Sequence, residues 1–547
     1  MASQGDAVGN MSDGDQQWSP RRFYLAISAI MLVQTVIVLD GAGAPTLARA
    51  AQLDLGTDLT GIQYAIGGQL LFAAAFTMVA SRLGAIFGRT RIFTLGIGVR
   101  ALGFLLVLLA SNAQVFFLGR AVFGGIGTAL ALVNALAILG VTFEGEPRVK
   151  AAATGASVFA LSAIIAPLLA GMFASTIGWR WFYVVCLAIN LLTFAFVRYT
   201  PVVAATHRSE RVDLVGALLA VISFGCVIFG IQQITPWGFI ENRNAPFTIA
   251  GRSPALAIVA IGILLVIVFI ATEHRRGKAD EPVLFNTELL RDRFIRNCNI
   301  ALVGIGSILF GVTFLAPIYL QIVSGLSPFQ SGLRISFFGI GALVMSRLFP
   351  RISRTRSVRT LFSIGMAMIV LGLLALVWEI GPVPWGAMPL AMVLFGLTLS
   401  LSKTSINVAT QRAVAPPERG NTTALSESGW ALGGSLGIAI VGTILLASLA
   451  SGIQNSILED ATLSREAKAV TEEYLDEGIS IVPDARVRTV LTEEGLGQNE
   501  VDVIADHYKR SANSALLASI AGSSILALFT YAAVRRLPKR DPVFSAG

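Results

Sequence analysis

The amino-acid sequence predicts an all-α membrane protein with fourteen transmembrane helices. The chain has 547 residues, of which 54% are hydrophobic and only 14% are charged, and its mean hydropathy is +0.72. A soluble chain of ordinary composition carries roughly 25% charged residues. The apolar residues also come in long blocks, and a block of roughly 20 apolar residues can span a bilayer as one helix. The composition therefore excludes the three or four soluble domains that the length alone would allow.

Fourteen apolar blocks follow one another along the chain. Each is predicted to be a helix, because a backbone exposed to lipid must satisfy its own hydrogen bonds. An even number of spans places both termini on the same side of the membrane. The blocks cover residues 22–48, 60–82, 92–110, 113–141, 150–175, 181–198, 213–234, 254–272, 298–323, 331–349, 358–379, 386–411, 420–450 and 513–534.

The distribution of Lys and Arg predicts that both termini are cytoplasmic. With the N-terminus inside, the inside segments carry 27 basic residues and the six short outside loops carry 4. Such an excess marks the cytoplasmic face of a membrane protein. This bias also explains the formal net charge of +8, so no nucleic-acid partner is expected.

The segment 451–512, between the last two blocks, has a different character. It holds 13 acidic and 6 basic residues, and parts of it, such as 463–477 and 486–510, have helical composition. In the predicted topology it lies outside. We expect an extracellular helical hairpin, with a solvated disordered loop as the alternative.

Cysteine and histidine usage argues against a disulfide framework and a metal site. The three cysteines lie in or at the edge of apolar blocks, without a CxxC pair, and the three histidines lie outside the apolar cores. The sequence shows no nucleotide-binding loop and no set of nucleophile and base. We therefore expect no enzyme, no catalytic residue, no metal and no cofactor, and an ion gradient as the energy source.

A basic segment between blocks two and three carries the first family motif. Residues 81–91 read SRLGAIFGRTR, in which Gly84 and Gly88 allow a tight turn and Arg89 and Arg91 hold the cytoplasmic side. The segment resembles the G-x-L-a-D-r-x-G-R-r loop of the major facilitator superfamily. The family's acidic residue, which the resemblance links to stabilisation of the outward-facing state, is Ala85 here.

Four further segments resemble motifs of the same superfamily, in the same order along the chain. Ala166, Pro167 and Gly171 lie in APLLAG, which is similar to the antiporter motif G-P-x-x-G-G; small residues allow close helix contact and proline bends a helix. The other segments are LGRAVFGGIG at 118–127, GWRWFY at 178–183 and the stretch from PIYLQ to SGLR at 317–334.

The helix number and three acidic features resemble the 14-helix drug:proton antiporters, in particular the QacA-like multidrug exporters. Asp40 in block one, Glu427 in block thirteen and the acidic segment 451–512 carry this resemblance. Gly67 and Ala431 depart from it, since they stand where some of those exporters have further acids. The resemblance implies the major facilitator fold, a monomer in the cell membrane, and proton-coupled export of small lipophilic or cationic compounds.

The same resemblance implies a domain organisation of two six-helix bundles and two additional helices. We expect a cytoplasmic tail at 1–21, the first bundle at 22–198, the additional helices at 199–273, a cytoplasmic linker at 274–297, the second bundle at 298–534 with the hairpin 451–512, and a cytoplasmic tail at 535–547.

Charged residues inside apolar blocks are the strongest candidates for function, because each costs roughly 2.5–3.5 kcal/mol on insertion scales. Asp40 and Arg120 both lie about 10–12 Å below the outer surface, and we expect them to pair if their helices adjoin. A carboxylate that alternates between a proton and this partner could couple protons to transport. A structural ion pair, or for Arg120 a tether to backbone carbonyls, is the alternative.

Lys403 and Glu427 both lie about 13 Å from the inner surface and are predicted neighbours. Glu427 is either neutralised by Lys403 or a second proton or cation site, and Lys403 could instead reach the interface. A lysine in the path disfavours a cationic substrate. Arg100 has no obvious acid at its depth, and the sequence suggests only that its side chain extends to the interface.

Other polar and aromatic side chains could line a cavity, although each could equally serve in helix packing or at the interface. Together with Asp40, Lys403 and Glu427 they make up the predicted substrate-binding set: Gln34, Tyr64, Gln69, Asn134, Tyr319, Gln321, Asn407 and Trp430.

Three functions follow from these observations. The first is a proton-coupled exporter of lipophilic or cationic compounds. The second is an exporter of an anionic, zwitterionic or lipidic metabolite, with Lys403 in recognition. The third is a non-transporting scaffold that uses the hairpin to bind a partner, which the retained membrane acids disfavour.

Overall fold

Helices dominate the computed structural model of the protein. It describes residues 19–143, 145–203, 213–241, 245–279, 281, 283–284, 287–353, 355–379, 386–415, 418–458, 460, 462–469, 488–489, 491–492, 494 and 496–537. Most of the two predicted tails and the centre of the predicted hairpin, residues 470–487, lie outside the described residues.

Fourteen helices in the described chain are long and apolar enough to cross a membrane, as predicted. They are α1 Pro20–Asp54, α2 Leu59–Phe87, α3 Arg89–Leu108, α4 Ala113–Thr142, α5 Gly145–Ser175, α6 Arg180–Phe196, α7 Leu214–Trp237, α8 Ala255–Lys278, α9 Arg293–Ile322, α10 Pro328–Ile352, α11 Val358–Trp378, α12 Met388–Arg412, α13 Arg419–Leu458 and α14 Gln498–Val534.

Helices α1–α6 pack mainly among themselves, as do α9–α14. Helices α7 and α8 form an antiparallel pair, and α7 also packs against α2 of the first group and α13 of the second. A hydrogen bond from the Thr443 hydroxyl to the Ile231 carbonyl joins α7 to α13 at 3.2 Å. The additional pair therefore lies beside the line where the two groups meet.

The two groups are joined along α2 and α13, where Ser428 and Ser435 of α13 donate to carbonyls of α2. They also meet at the far end of the molecule, that is, the end opposite the described chain ends Ser19 and Leu537. Gly171 of α5 and Gly332 of α10 lie against backbone atoms of the opposite helix, which leaves no room for a side chain at either position. The Gln321 amide of α9 donates to the Thr46 carbonyl of α1 at 3.0 Å, and Arg49 donates to the Gln321 carbonyl at 3.0 Å. The far end is therefore closed.

Several helices extend well past the apolar blocks that predicted them. Helix α1 continues to Asp54, α13 continues to Leu458, and α14 begins at Gln498 rather than near residue 513. The described part of the predicted hairpin is thus largely a continuation of α13 and α14, with a short helical stretch at 465–469. Apolar content marks the membrane-embedded part of a helix, whereas the hydrogen-bonded helix runs on into the polar layer.

Candidate functional site

The carboxylate of Asp40 lies in α1, surrounded by side chains from four other helices. Its Oδ1 pairs with the Arg120 guanidinium of α4, and its Oδ2 lies 3.1 Å from Arg100 of α3 and 2.7 Å from the Gln69 amide of α2. Tyr183 of α6 hydrogen-bonds to Arg120 at 2.8 Å. Asp40, Arg100 and Arg120 are each at most 3% exposed, so this ion cluster is sealed within the first helix group.

The pairing of Asp40 with Arg120 agrees with the depth argument from the sequence. The suggestion that Arg100 extends to the interface is wrong, because its guanidinium turns inward and its side chain is fully buried. A buried cation in a membrane protein is stabilised by an acid within reach, and Arg100 reaches the same acid as Arg120.

Glycines bring the helices of the two arginines into backbone contact. A methyl group on Gly103 of α3 would lie 2.7 Å from the Gly119 carbonyl oxygen of α4. One on Gly127 of α4 would lie 2.7 Å from the main-chain nitrogen of Arg100 in α3. Glycine lets membrane helices approach this closely. Arg120 itself lies in a π-helical turn, Leu118–Phe123, a local widening that is frequent at functional sites.

A second charged cluster joins α12 and α13 in the other helix group. The Lys403 ammonium lies 3.0 Å from a Glu427 oxygen, and the Asn407 amide donates to the other oxygen at 3.4 Å. Lys403 also lies 4.9 Å from the centre of the Trp430 ring, which packs against Phe310 of α9. The predicted neighbours Lys403 and Glu427 are thus in contact, and Asn407 and Trp430 belong to the same cluster.

The two clusters differ in exposure. The Lys403 side chain is 23% exposed and the Glu427 side chain 8%. The side chains of Asp40, Arg100 and Arg120 are almost completely enclosed. The Lys403 cluster is therefore the more accessible of the two.

The other residues predicted to bind substrate lie at several different places. Gln34 donates to the Gly155 carbonyl of α5 at 3.0 Å, and the fully buried Asn134 donates to the Ala80 carbonyl of α2 at 3.0 Å. Tyr64 contacts Phe229 of the additional helix α7. These three side chains lie in helix contacts apart from both ion clusters.

Two more of those residues lie at the far end. Gln321 takes part in the contact between α1 and α9, and the Tyr319 hydroxyl donates to Asn513 of α14 at 3.3 Å. Of the predicted substrate-binding residues, the structure therefore gathers Asp40 and Gln69 in one cluster and Lys403, Asn407, Glu427 and Trp430 in another.

The basic motif at 81–91 forms the turn between α2 and α3. Gly88 has φ = 100°, a conformation that favours glycine, and Arg89 donates to the Ser81 carbonyl at 3.3 Å. Gly84 packs directly against the Asn134 amide, and Arg91 is exposed. The predicted tight turn is therefore present.

The motif at 166–171 lies in α5, where that helix meets α10. Ala166 is fully buried, and the Pro167 carbonyl faces Gly332. The last residue of the motif, Gly171, faces the backbone of Pro328. The motif thus supplies the close contact between the two helix groups at the far end.

Sequence reasoning identified Asp40 and Arg120 but missed two members of their cluster, Arg100 and Tyr183. A signal for Arg100 was available. It lies ten residues before the outer end of its apolar block and Asp40 eight before the end of its own. The difference is about 3 Å along a helix axis, which is less than the length of an arginine side chain.

A family model described as Major Facilitator Superfamily matches residues 26–438. A puromycin resistance protein of Streptomyces alboniger is 30% identical over 437 residues, which cover 78% of this chain and 82% of the relative. A probable actinorhodin transporter of Streptomyces coelicolor is 26% identical, covering 85% and 80%. The multidrug resistance protein Stp of Mycobacterium tuberculosis is 25% identical, covering 72% and 70%.

Solved structures share the fold at low sequence identity. A bacterial homologue of the human lysosomal transporter Spinster, in an inward-facing and unoccupied conformation, has a TM-score of 0.59 at 15% identity, covering 94% of this chain and 98% of that chain. The nucleoside transporter NupG, as a mutant, has a TM-score of 0.57 at 11% identity, covering 93% and 99%.

Proposed function

The chain belongs to the major facilitator superfamily, and from this premise we propose that it exports small lipophilic or cationic compounds in exchange for protons. It is a multi-pass membrane transporter of small molecules and not an enzyme, as the sequence predicted. Its relatives include proteins named for resistance to puromycin and to multiple drugs. Those names support small organic compounds, such as antibiotics of the size of puromycin, as substrates of this chain.

The observation that carries the proposal is the enclosed contact between Asp40 and Arg120. A carboxylate in a membrane is stable when it is either paired with a cation or protonated, so a proton competes with Arg120 for Asp40. Because Asp40 also accepts a hydrogen bond from Gln69, its protonation weakens the contacts of α1 with both α2 and α4. Proton binding at one atom thereby acts on the packing of a whole helix group.

Substrate binds, in this proposal, at the Lys403 cluster of the other helix group. Glu427 offers a negative charge to a cation, and the Trp430 and Phe310 rings offer an apolar surface. An aromatic face attracts a cation within about 6 Å. A cationic substrate would displace the Lys403 ammonium from both Glu427 and Trp430, or compete with a proton for Glu427.

The closed far end fits one stage of alternating access, in which two helix groups rock about a site between them. With cytoplasmic termini, as the positive-inside rule predicts, the closed far end is the extracellular end. In the proposed organisation the bundles are 22–198 and 298–534, the segment 451–512 is extracellular, and a monomer in the cell membrane carries out the cycle.

A second candidate is export of an anionic or zwitterionic compound with Lys403 in recognition. The exposure of the pair favours it, because the side chain of Lys403 is more exposed than that of Glu427. A carboxylate group on the substrate would then pair with Lys403 and free Glu427 to take a proton.

Proton flux in proteoliposomes tests the proposal. Purified protein is reconstituted with the pH-sensitive dye pyranine inside, and ethidium as a cation or fluorescein as an anion is added. We expect ethidium to drive proton movement in the wild type, and Asp40→Asn to abolish it. Asp58→Asn is a matched control, because Asp58 is an exposed N-cap of α2 and asparagine caps equally well.

Each probe has a distinct meaning. Proton flux that is driven by fluorescein and not by ethidium would show that the substrate is anionic and that the exchange for protons is correct. Flux that persists in Asp40→Asn overturns the role of Asp40, and absence of flux with both probes in folded protein overturns proton exchange of such compounds.

A further inference from the structure

Two guanidinium groups approach the single carboxylate of Asp40 from different helices. Arg120 pairs with Oδ1, and Arg100 lies 3.1 Å from Oδ2. The other groups that face the carboxylate are neutral: the Gln69 amide of α2, and Tyr183 and Cys186 of α6. The enclosed cluster thus has one positive charge in excess when Asp40 is ionised, and two when Asp40 is protonated.

The two arginines differ in what else holds them. Arg100 donates to the Thr128 hydroxyl and to the Val36 carbonyl at 3.3 Å, and its guanidinium lies 5.1 Å from the centre of the Phe104 ring. All three partners are neutral and remain in place whatever the charge of Asp40. Arg100 is therefore held independently of the carboxylate.

Arg120 depends much more on Asp40. Its contacts are the Oδ1 and the main-chain carbonyl of Asp40, together with the hydroxyl and the ring of Tyr183. When Asp40 takes a proton, Arg120 loses its charged partner and keeps Tyr183 and the main-chain carbonyl of Asp40, which at 3.4 Å is the longest of its hydrogen bonds. Of the two cations, Arg120 is the one that is free to exchange.

We propose that Arg100 is a positioning residue. It is a fixed second cation that keeps Asp40 ionised, and by holding Oδ2 it directs the other oxygen, Oδ1, toward Arg120. The inference rests on the proposed function, since it assumes that Asp40 carries the proton. A second fixed cation lowers the proton affinity of a carboxylate, because it stabilises the charged form. Protonation of Asp40 then takes place at a lower pH than Arg120 alone would set.

The excess positive charge also gives the Asp40 cluster and the Lys403 cluster different functions. A cationic compound is repelled from an enclosed site with a net positive charge, whereas the Lys403 cluster has one acid and one cation and is partly exposed. Asp40 thus acts on protons only, and a cationic substrate is bound at Glu427. The sequence, which assigned both acids to proton coupling and to substrate binding, offered no such division.

The pH dependence of ethidium-driven proton flux tests this inference in the same proteoliposomes. Arg100→Gln removes the fixed cation and raises the proton affinity of Asp40, so the half-maximal pH should rise by about one unit, a tenfold change in proton affinity. Arg100→Lys keeps the charge and should leave the profile within a few tenths of a unit of the wild type.

Thr128→Val is a second variant that keeps the charge of Arg100 and removes one of its neutral partners. We expect a shift in the same direction as for Arg100→Gln, but smaller, so the inference stays testable if Arg100→Gln does not fold. A role of Arg100 in packing alone would lower the melting temperature of each variant without moving the profile.

The failures of the two proposals are distinguishable. Wild-type flux that is absent, or insensitive to Asp40→Asn, overturns the proposed function. Wild-type flux that needs Asp40, together with an unchanged pH profile in folded Arg100→Gln and Thr128→Val, overturns the role of Arg100 and leaves the proposed function standing.

Discussion

Gly332 of α10 faces the backbone of Pro167 in α5 so closely that a methyl group on the glycine would lie 2.1 Å from the proline carbonyl oxygen. The close contacts between these helices involve residues 163–171 of α5 and 328–339 of α10, which lie in the half of each helix nearer the far end. The contact between α5 and α10 at the far end therefore requires glycine at Gly332.

The first prediction concerns this contact. Gly332→Ala forces α5 and α10 apart and disfavours the conformation that is closed at the far end. Spin labels on the exposed residues Thr176 and Gln330 report the separation by pulsed electron paramagnetic resonance. We expect the distance distribution to move to longer distances, by several ångströms.

Gly140→Ala serves as the control, because a methyl group at Gly140 meets nothing within 4 Å. It should leave the distribution as in the wild type. A Gly332→Ala protein that is folded and has the wild-type distribution would show that the far end closes by other contacts, such as that of Arg49 with Gln321.

A second prediction concerns the glycines that bring α3 and α4 together. Gly103→Ala places a methyl group 2.7 Å from the Gly119 carbonyl, and overpacking of this kind costs roughly 1–3 kcal/mol. We expect a lower melting temperature and weaker proton coupling, since Arg100 is displaced from Asp40. Both can be measured on the purified protein, by thermal denaturation in detergent and by pyranine flux.

Gly98→Ala is the matched change on the same helix, because nothing lies within 4 Å of a methyl group at Gly98. Alanine favours a helix over glycine by roughly 0.5–1 kcal/mol, so Gly98→Ala should be neutral or slightly stabilising. Equal melting temperatures for Gly98→Ala and Gly103→Ala would contradict the close approach of α3 and α4.

A third prediction uses the pair formed by Lys403 and Glu427. Lys403→Met leaves a mostly buried carboxylate without its cation, and breaking a fully buried pair in this way costs roughly 3–5 kcal/mol. The partial exposure of Lys403 reduces that cost. The double variant Lys403→Met/Glu427→Gln removes both charges, and we expect it to regain most of the lost melting temperature.

Transport measurements distinguish whether the Lys403–Glu427 pair binds substrate or only stabilises the fold. If the pair binds substrate, the stable double variant does not respond to ethidium or fluorescein. A double variant with wild-type flux would make the pair purely structural. A double variant less stable than Lys403→Met alone would show that the two charges do not neutralise each other.

The sequence predicted those parts of the structure that depend on distance along a helix. Apolar blocks fixed the number and order of the helices, and counting residues from the block ends placed Asp40 with Arg120 and Lys403 with Glu427. Depth is proportional to residue number in a helix, at about 1.5 Å per residue. It can therefore be estimated without knowledge of the fold.

Lateral position could not be predicted in the same way. Arg100 reaches Asp40 because close packing of α3 on α4, through Gly103 and Gly127, carries its side chain toward α1. Depth alone likewise left Asn134 as a cavity candidate, whereas its amide joins α4 to α2. Which neighbour a side chain meets depends on the rotation of each helix about its axis, and a single sequence shows little of that.

The last prediction concerns the contact of Asp460 and the short helical stretch at 465–469 with α14, and how the stability of this contact depends on pH. Asp460 accepts hydrogen bonds from the Thr462 hydroxyl at 2.6 Å and the Thr462 amide at 2.8 Å, and its other oxygen lies 2.7 Å from His507 Nε2 of α14. The bonds from Thr462 and then His507 lower the pKa of Asp460 below its usual value. A lowered pKa in the folded state stabilises the fold above the unfolded value, about 3.9, and this stabilisation is lost as the pH falls further.

Asp460→Asn should therefore loosen the contact of residues 460 and 462–469 with α14 at pH 7, and the difference from the wild type should shrink below about pH 4. Hydrogen–deuterium exchange of these amides, corrected for the intrinsic effect of pH, measures it. Asp502→Asn is the comparison, because Asp502 and Arg488 form an exposed ion pair, and such pairs contribute at most about 1 kcal/mol. Faster exchange in Asp460→Asn at pH 7, with little change in Asp502→Asn, is the expected result. Wild-type exchange in Asp460→Asn at pH 7 would show that the contact with His507 does not hold this segment to α14.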